Sequence, residues 1–180
     1  MRRALFLDRD GTLNYDEGYT NSFDTTQIIE GSVDLIRFAN QRNFHVIIAT
    51  NQSGIGRGFY NEEKFHEYMG KMINYYRYYG AVIDDYFFAP YYKYSKNEIY
   101  KMGEMLRKPN TGMIELAVKK YSLDLANSIL VGDKKTDIQT GKKIGIKNLI
   151  LFNQKGNNFV FKKNYIESPN LKFVMELPIW

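Results

Sequence analysis

The chain contains no cysteine among its 180 residues. Disulfides and thiolate-held metals are therefore excluded, while the redox compartment stays open. Histidine is almost as scarce. His45 opens an apolar run and His66 falls on a helical period, so neither is placed for acid–base catalysis, and both read as structural. No stretch approaches the ~20 apolar residues of a membrane span. The opening "MRRALFLDRDG" reaches an aspartate too soon for a secretory h-region, and the expected location is cytoplasmic. There is no repeat, low-complexity segment or linker. The excess of positive charge is mild, +5 from 25 basic and 20 acidic residues. No dense Lys/Arg stripe accompanies it, so the expected partner is a small anion, not nucleic acid or a membrane.

What is present is the profile of a globular protein, 44 % apolar and 25 % charged. The length suits one domain over residues 1–180 with a substantial core, expected to act as a monomer. "ALFL" (4–7), "HVIIAT" (45–50), "DYFFA" (85–89), "SILVGD" (128–133) and "KNLILF" (147–152) read as buried strands. Helical periods separate them. Ser32 is the expected cap of a helix to about Gln41. Asn61 opens a segment with Phe65, Tyr68, Met69, Met72, Ile73, Tyr76 and Tyr79 on one side, ended by Gly80. Helices are also expected over 111–121 and 136–143. Residues 12–30 read as a long loop or hairpin, "NQSGIGRG" as a glycine-rich loop, "KKNYIESPNLKF" as a solvated surface segment and "LKFVMEL" as extended. The fold class is α/β: a Rossmann-like three-layer sandwich around a central parallel sheet, with insertions too short for a large cap domain.

In such sheets ligands bind beyond the carboxyl ends of the strands. "DRDGT", "TNQSGIGRG" and "GDKKTD" all fall there. Asp8, Asp10 and Asp133, gathered in one crevice, would repel strongly, and Mg²⁺ with its preference for hard oxygen ligands resolves the conflict. Asp8 can attack phosphorus as a carboxylate nucleophile. Asp10 can protonate the leaving oxygen and then activate water. Thr50 offers a hydroxyl to a phosphoryl oxygen, and Lys108, between Arg107 and Pro109, supplies a fixed positive charge. Gly54, Gly56 and Gly58 allow backbone amides to approach an anion. Asp137 is open between anchoring the Asp133 loop, a water-mediated metal contact and a helix first-turn acid.

"ALFLDRDGT", "VIIATN", "RKPN" and "LVGDKKTD" resemble, in order, the four motifs of the haloacid dehalogenase superfamily. With "LN…DEGY" and "TNQSGIGRG" the chain is similar to the histidinol-phosphatase branch, and within it to the phosphatases of heptose bisphosphate. That resemblance implies an aspartyl-phosphate mechanism with Asp8 as nucleophile and Asp10 as acid/base. Mg²⁺ would be held by Asp8, the Asp10 carbonyl and Asp133. Thr50 and Lys108 would stabilise the phosphoryl group, and Asp16, Tyr19, Asn51, Gln52, Ser53, Arg57, Arg107 and Lys134 would contact a phosphorylated sugar. Arg107 would read a second phosphate. The implied role is in bacterial nucleotide-activated heptose synthesis for lipopolysaccharide or capsule. Histidinol phosphate, with Asp16 or Glu17 facing its amine, is the alternative substrate. A polynucleotide 3′-phosphatase and a silent phosphosugar-binding protein are more distant ones. Relatives carry a structural zinc on a C-x-H and a C-x-C pair. Here Ala89, Tyr91, Glu104 and Leu106 stand at those positions. Zinc is expected to be absent, with packed tyrosines ordering residues 90–106 instead.

Overall fold

Alternation inside uninterrupted apolar runs decides the architecture. All four side chains of strand β1 (Ala4–Leu7) are buried. Leu5 and Leu7 enter one apolar cluster, Ala4 and Phe6 another, as the two-residue period of a strand requires. Strands β2 (His45–Asn51), β4 (Ile129–Gly132) and β5 (Asn148–Phe152) divide between the same two clusters. A sheet buried on both faces suits parallel pairing. The computed structural model describes residues 2–180. With β3 (Asp85–Ala89), β6 (Val160–Phe161) and β7 (Ile166–Ser168), the strand order is β3-β2-β1-β4-β5-β7-β6. Every pairing is parallel except β6 with β7.

Helices cover both faces. On one side Leu35 and Ile36 of α1 (Ser32–Gln41), Tyr68, Met69 and Met72 of α3 (Glu62–Tyr78), and Leu171 and Val174 of α7 (Leu171–Val174) meet Leu5, Leu7, Val46 and Ile48. On the other, Met113 and Ile114 of α5 (Gly112–Tyr121) and Ile138 of α6 (Lys135–Ile144) meet Ala4, Phe6, Ile47 and Leu130. The expected three-layer sandwich is the one observed. The chain runs from β1 outward to β2 and β3, then returns to the opposite side of β1 for β4 and β5. The reversal creates a crevice at the carboxyl ends of β1 and β4. Asp8, Asp133 and Thr50 lie there. Among the described residues no helix is long and apolar enough to cross a membrane.

Several local expectations are corrected. Ser32 is not the cap of α1. Gly31, at φ 82°, takes that place, and the buried Ser32 hydroxyl accepts a hydrogen bond from Tyr76 at 2.9 Å. The glycine-rich loop folds as a short helix, α2 (Ser53–Arg57), which Gly58 ends at φ 77°. Its glycines serve close contact: a Cβ on Gly56 would lie 2.4 Å from the Pro90 carbonyl. Residues 12–30 form the long loop, not a regular hairpin: a single antiparallel bridge of Asn14 with Ile28 closes its base, and one 3-10 turn at Phe23–Thr25 lies within it. The extended tail candidate is the helix α7, because Leu171 and Val174 are buried at a three-residue spacing and Asn170 caps it through Phe173 N. Part of the expected solvated segment is β7, which extends the sheet and buries Ser168. Asn61 does cap α3, accepting from Lys64 N. In the tyrosine run Tyr76 is buried and Tyr78 exposed, as core packing with an outer edge requires.

Tyr76 also ties α3 to the loop behind the crevice, since its hydroxyl bonds Leu13 O and Ser32 Oγ. Tyr76→Phe leaves the buried Ser32 Oγ without this donor, while Leu13 O keeps Ile29 N at 2.9 Å, and should cost about 1–3 kcal/mol. Urea unfolding of both proteins measures this, and equal midpoints would refute it.

Candidate active site

The site is built around a buried lysine. Lys108 is 4 % exposed, and its Nζ lies 2.9 Å from Asp8 Oδ1, 2.5 Å from Asp137 Oδ1 and 2.7 Å from the Ala49 carbonyl. These three contacts use all three ammonium protons. Burial works against the lysine's charge, but Asp137 and Asp8 outweigh it and hold its pKa above the ordinary value. Asp8 follows β1, and its Oδ1 also accepts from Arg9 N at 2.8 Å. Burial pushes its carboxyl upward against the pull of Lys108, and Asp137 adds to the rise. Asn51 fixes the loop that carries Lys108: its amide donates to Lys108 O at 3.1 Å and accepts from Lys108 N at 3.0 Å. Its side chain therefore positions the lysine, and it also lines the cleft.

Asp137 is 1 % exposed. It pairs with Lys108 and accepts from Lys134 N at 3.0 Å, so it anchors the turn between β4 and α6. Asp133 stands in that turn. Oxygens of Asp8, Asp133 and Asp137 lie within 4.8 Å of one another. Burial and then the Asp8 charge push the Asp133 carboxyl up to about 7. Asp133 Oδ1 is buried with no hydrogen-bond partner, and among the described residues no hydrogen bond ends on the Asp10 carbonyl. Crowded hard oxygens with free lone pairs are the donor set Mg²⁺ takes, and these residues fit it. Gly11 makes the crowding possible: at φ 89°, a Cβ there would lie 2.2 Å from Asp133 Oδ2.

Asp10 is held back by three side chains. Arg9 grips it with two bonds, at 3.0 and 2.8 Å, and Asn14 and Gln52 donate at 3.0 and 2.8 Å. In this position all its lone pairs face donors. Arg9 is fully buried and lies over the Tyr68 ring at 4.4 Å. Burial opposes its charge, but Asp10 more than compensates and raises its pKa. The sequence reading passed over Arg9. A charged residue between two motif aspartates looks like a solvated turn residue, and only the aromatic side chains of α3 closing over it make it internal. Gln52 is 2 % exposed, and its Nε2 donates to Thr50 Oγ1 as well as to Asp10, both at 2.8 Å.

A cleft of about 500 Å³ opens above these groups, lined by Asp8, Asp10, Thr50, Lys108 and, at the rim, Asp16, Tyr19, Ser53, Arg107 and Lys134. Lys134 donates to Asp16 at 3.0 Å and closes one side; burial opposes its charge, while Asp133 and Asp16 raise its pKa. Asp16 is thus already paired, its charge offset by Lys134. Tyr19, at φ 53°, packs edge-on against Phe59 at 4.5 Å. Arg107 is half-buried with Nη1 lacking any partner. Burial and then the charge of Arg57 lower its pKa. Arg57 does not line the cleft; its guanidinium stacks on Tyr92 at 3.9 Å. His45 pairs with Asp84 and His66 with Tyr86, away from the cleft.

Residues 90–106 contain α4 (Glu98–Met102) and a 3-10 turn at Gly103–Leu106. Tyr92 N donates to Tyr100 O, Asn110 holds Glu104 O, and Tyr92 meets Tyr94 edge-on at 5.7 Å. The expected tyrosine packing is present, with Arg57 added to it. Ala89, Tyr91, Glu104 and Leu106 do not fit a zinc ion, for which only one of them carries an ordinary ligand.

Fold and site together define a haloacid-dehalogenase-like hydrolase, and the HAD-hydrolase-like family model matches residues 105–154. The chain is 40 % identical over 149 residues to D-glycero-alpha-D-manno-heptose-1,7-bisphosphate 7-phosphatase of Burkholderia mallei, covering 83 % of this chain and 79 % of that one. It is 37 % identical to the beta-anomer enzyme of Haemophilus ducreyi, covering 83 % and 82 %. The crystal structure of D,D-heptose 1,7-bisphosphate phosphatase from B. bronchiseptica, in complex with magnesium and phosphate, superposes with a TM-score of 0.80 at 28 % identity, over 97 % of this chain and 96 % of that one. The chain belongs to the D-glycero-D-manno-heptose-1,7-bisphosphate 7-phosphatase family of haloacid-dehalogenase-like hydrolases.

Gly11→Ala tests the packing of the carboxylates. Its Cβ must displace Asp133 and strain a left-handed backbone, at a cost of about 1–3 kcal/mol. Mg²⁺ titration by calorimetry should show at least ~10-fold weaker binding than the parent, a change of about 1.4 kcal/mol. Parental affinity would rule out the steric argument.

Proposed function

We propose that the protein is a Mg²⁺-dependent phosphomonoesterase that removes the 7-phosphate of D-glycero-D-manno-heptose 1,7-bisphosphate through an aspartyl-phosphate intermediate. The observation that carries this reading is the Asp8 carboxylate at the cleft floor. Two donors hold its Oδ1 and leave Oδ2 free to attack. In the first step an Asp8 oxygen bonds to phosphorus as the bond to the sugar oxygen breaks. That oxygen takes a proton from Asp10. In the second step Asp10 removes a proton from water as the water oxygen attacks phosphorus. Inorganic phosphate leaves and Asp8 is restored. When bound, Mg²⁺ supplies charge neutralisation for the transferring group. Lys108 and the Thr50 hydroxyl do the same from the protein side.

Asp10 must carry a proton and release some of its four donors to reach the leaving oxygen. Arg107, with a free guanidinium nitrogen at the rim, supports recognition of the second phosphate, for which its planar fork is suited. Asp16, Tyr19, Ser53 and Lys134 would bound the sugar. Asn51 and Gln52 would act on substrate indirectly, through the groups they hold. Arg57 would contribute by its charge and by ordering Tyr92.

Steady-state phosphate release over a panel of sugar phosphates, histidinol phosphate and a 3′-phosphorylated oligonucleotide tests the substrate. Heptose 1,7-bisphosphate should give the highest kcat/KM by at least ~100-fold, about 2.7 kcal/mol of transition-state preference. Equal low rates on all of them would sink the assignment. Asp8→Asn should abolish turnover while leaving the fold intact by circular dichroism, and residual turnover would remove Asp8 as nucleophile. Chelation should stop phosphate release. Added Mg²⁺ should restore it without zinc, and a zinc requirement would contradict the reading of residues 90–106.

A further inference from the structure

We propose that Tyr60 is a positioning residue for the phosphoryl-transfer groups, acting through Gln52. Gln52 sits where the two halves of the chemistry meet. Its Nε2 donates to Asp10 Oδ2 and to Thr50 Oγ1, both at 2.8 Å. These are the two protons an amide nitrogen has. The consequence for Thr50 is directional. Because its oxygen accepts from Gln52, its own hydroxyl proton is turned away from the amide and toward the cleft, ready to donate to a phosphoryl oxygen. For Asp10, the same amide defines where the carboxylate rests.

An amide reversed by 180° would present oxygen to Asp10 and Thr50, and both effects would be lost. Asp10, which can only accept, and Arg9, which can only donate, set the sense of the amide; the Tyr60 hydroxyl, donating to Gln52 Oε1 at 2.6 Å, holds it in that place. The other donor to that oxygen, Arg9 Nη2, is longer at 3.3 Å and already engaged with Asp10 and the Thr20 carbonyl. Burial pushes the Tyr60 phenol up to about 12, so it remains a donor throughout the working range. The fold makes room for this contact. A Cβ on Gly54 would lie 2.4 Å from Tyr60 Cε1 and 2.8 Å from its hydroxyl. Gly54 is helical, without a left-handed φ. Its lack of a side chain is therefore explained by Tyr60 and not by backbone conformation.

The catalytic part of this inference rests on the phosphatase reading; the positional part does not. Tyr60→Phe removes one hydroxyl from a partly buried ring. It should lower kcat on the best phosphate ester by about 10-fold, as expected for loss of one aligning hydrogen bond, and leave KM within about twofold. In a Gln52→Leu background the same change should have no further effect, because coupled residues do not add. Gly54→Ala should resemble Tyr60→Phe by displacing the ring. The position of the amide is read without turnover: side-chain NH₂ exchange at Gln52, followed by NMR, should be slow in the parent and at least ~10-fold faster in Tyr60→Phe. Unchanged exchange would overturn the positional claim whether or not the protein hydrolyses anything. Faster exchange with parental kcat would overturn the catalytic one. An inactive parent with the expected exchange would fault the phosphatase reading alone.

Discussion

The arrangement depends on one buried ammonium. Lys108 Nζ touches Asp8, Asp137 and the Ala49 carbonyl at once, and those groups come from the end of β1, the first turn of α6 and β2. Without that cation, Asp8 and Asp137 could not share the interior, because an unpaired buried carboxylate costs far more than a protein of this size can absorb. The lysine is in turn fixed through its backbone by Asn51. A polar side chain at the end of β2 therefore determines where the charge sits on Asp8. Each link is short and desolvated, which is the condition under which ion pairs are geometrically exact and worth their desolvation.

The charges near this centre do not balance. Asp8, Asp16, Asp133 and Asp137 face Lys108 and Lys134, a formal excess of two negative charges. Asp10 and Arg9 cancel each other. Burial first, and the Asp8 charge after it, raise the Asp133 carboxyl to about 7. A divalent cation removes the excess charge, and a phosphate dianion can then enter a cleft whose rim carries the unpaired side of Arg107. On the proposed reading, site and substrate charge are matched in stages: the cation offsets the carboxylates, and the cation with Lys108 attracts the anion.

Much of this was legible in the chain itself. Buried parallel strands announce themselves as apolar runs, and ligand residues follow their carboxyl ends, so Asp8, Thr50 and Asp133 could be placed together from "DRDGT", "ATN" and "GDKKTD". What escaped were features in which one short segment is explained by another far away. Gly54 and Gly56 read as a loop opening its amides to an anion, because nothing local reveals Tyr60 or Pro90 pressing against them. Ser32 has the composition of a cap, but Tyr76, more than forty residues on, takes its hydroxyl. The tail pattern "LKFVMEL" is too short to separate a helical period from an alternating one.

Arg9 is the most instructive omission, because its role inverts an ordinary rule. Arginine in a turn is expected to be solvated, yet here it is fully buried beneath Tyr68 and Phe65. The reason lies in the two neighbouring aspartates. Asp8 must face the cleft and Asp10 must stand ready beside it, so the residue between them points the opposite way, into the apolar layer under α3. A small apolar side chain would fill that direction, but would leave the Asp10 carboxylate to the neutral amides of Asn14 and Gln52 alone. The bidentate grip of a guanidinium holds it at a distance, and the aromatic faces make burial of the guanidinium tolerable. In this chain the residue between the two aspartates therefore fixes where the second of them rests.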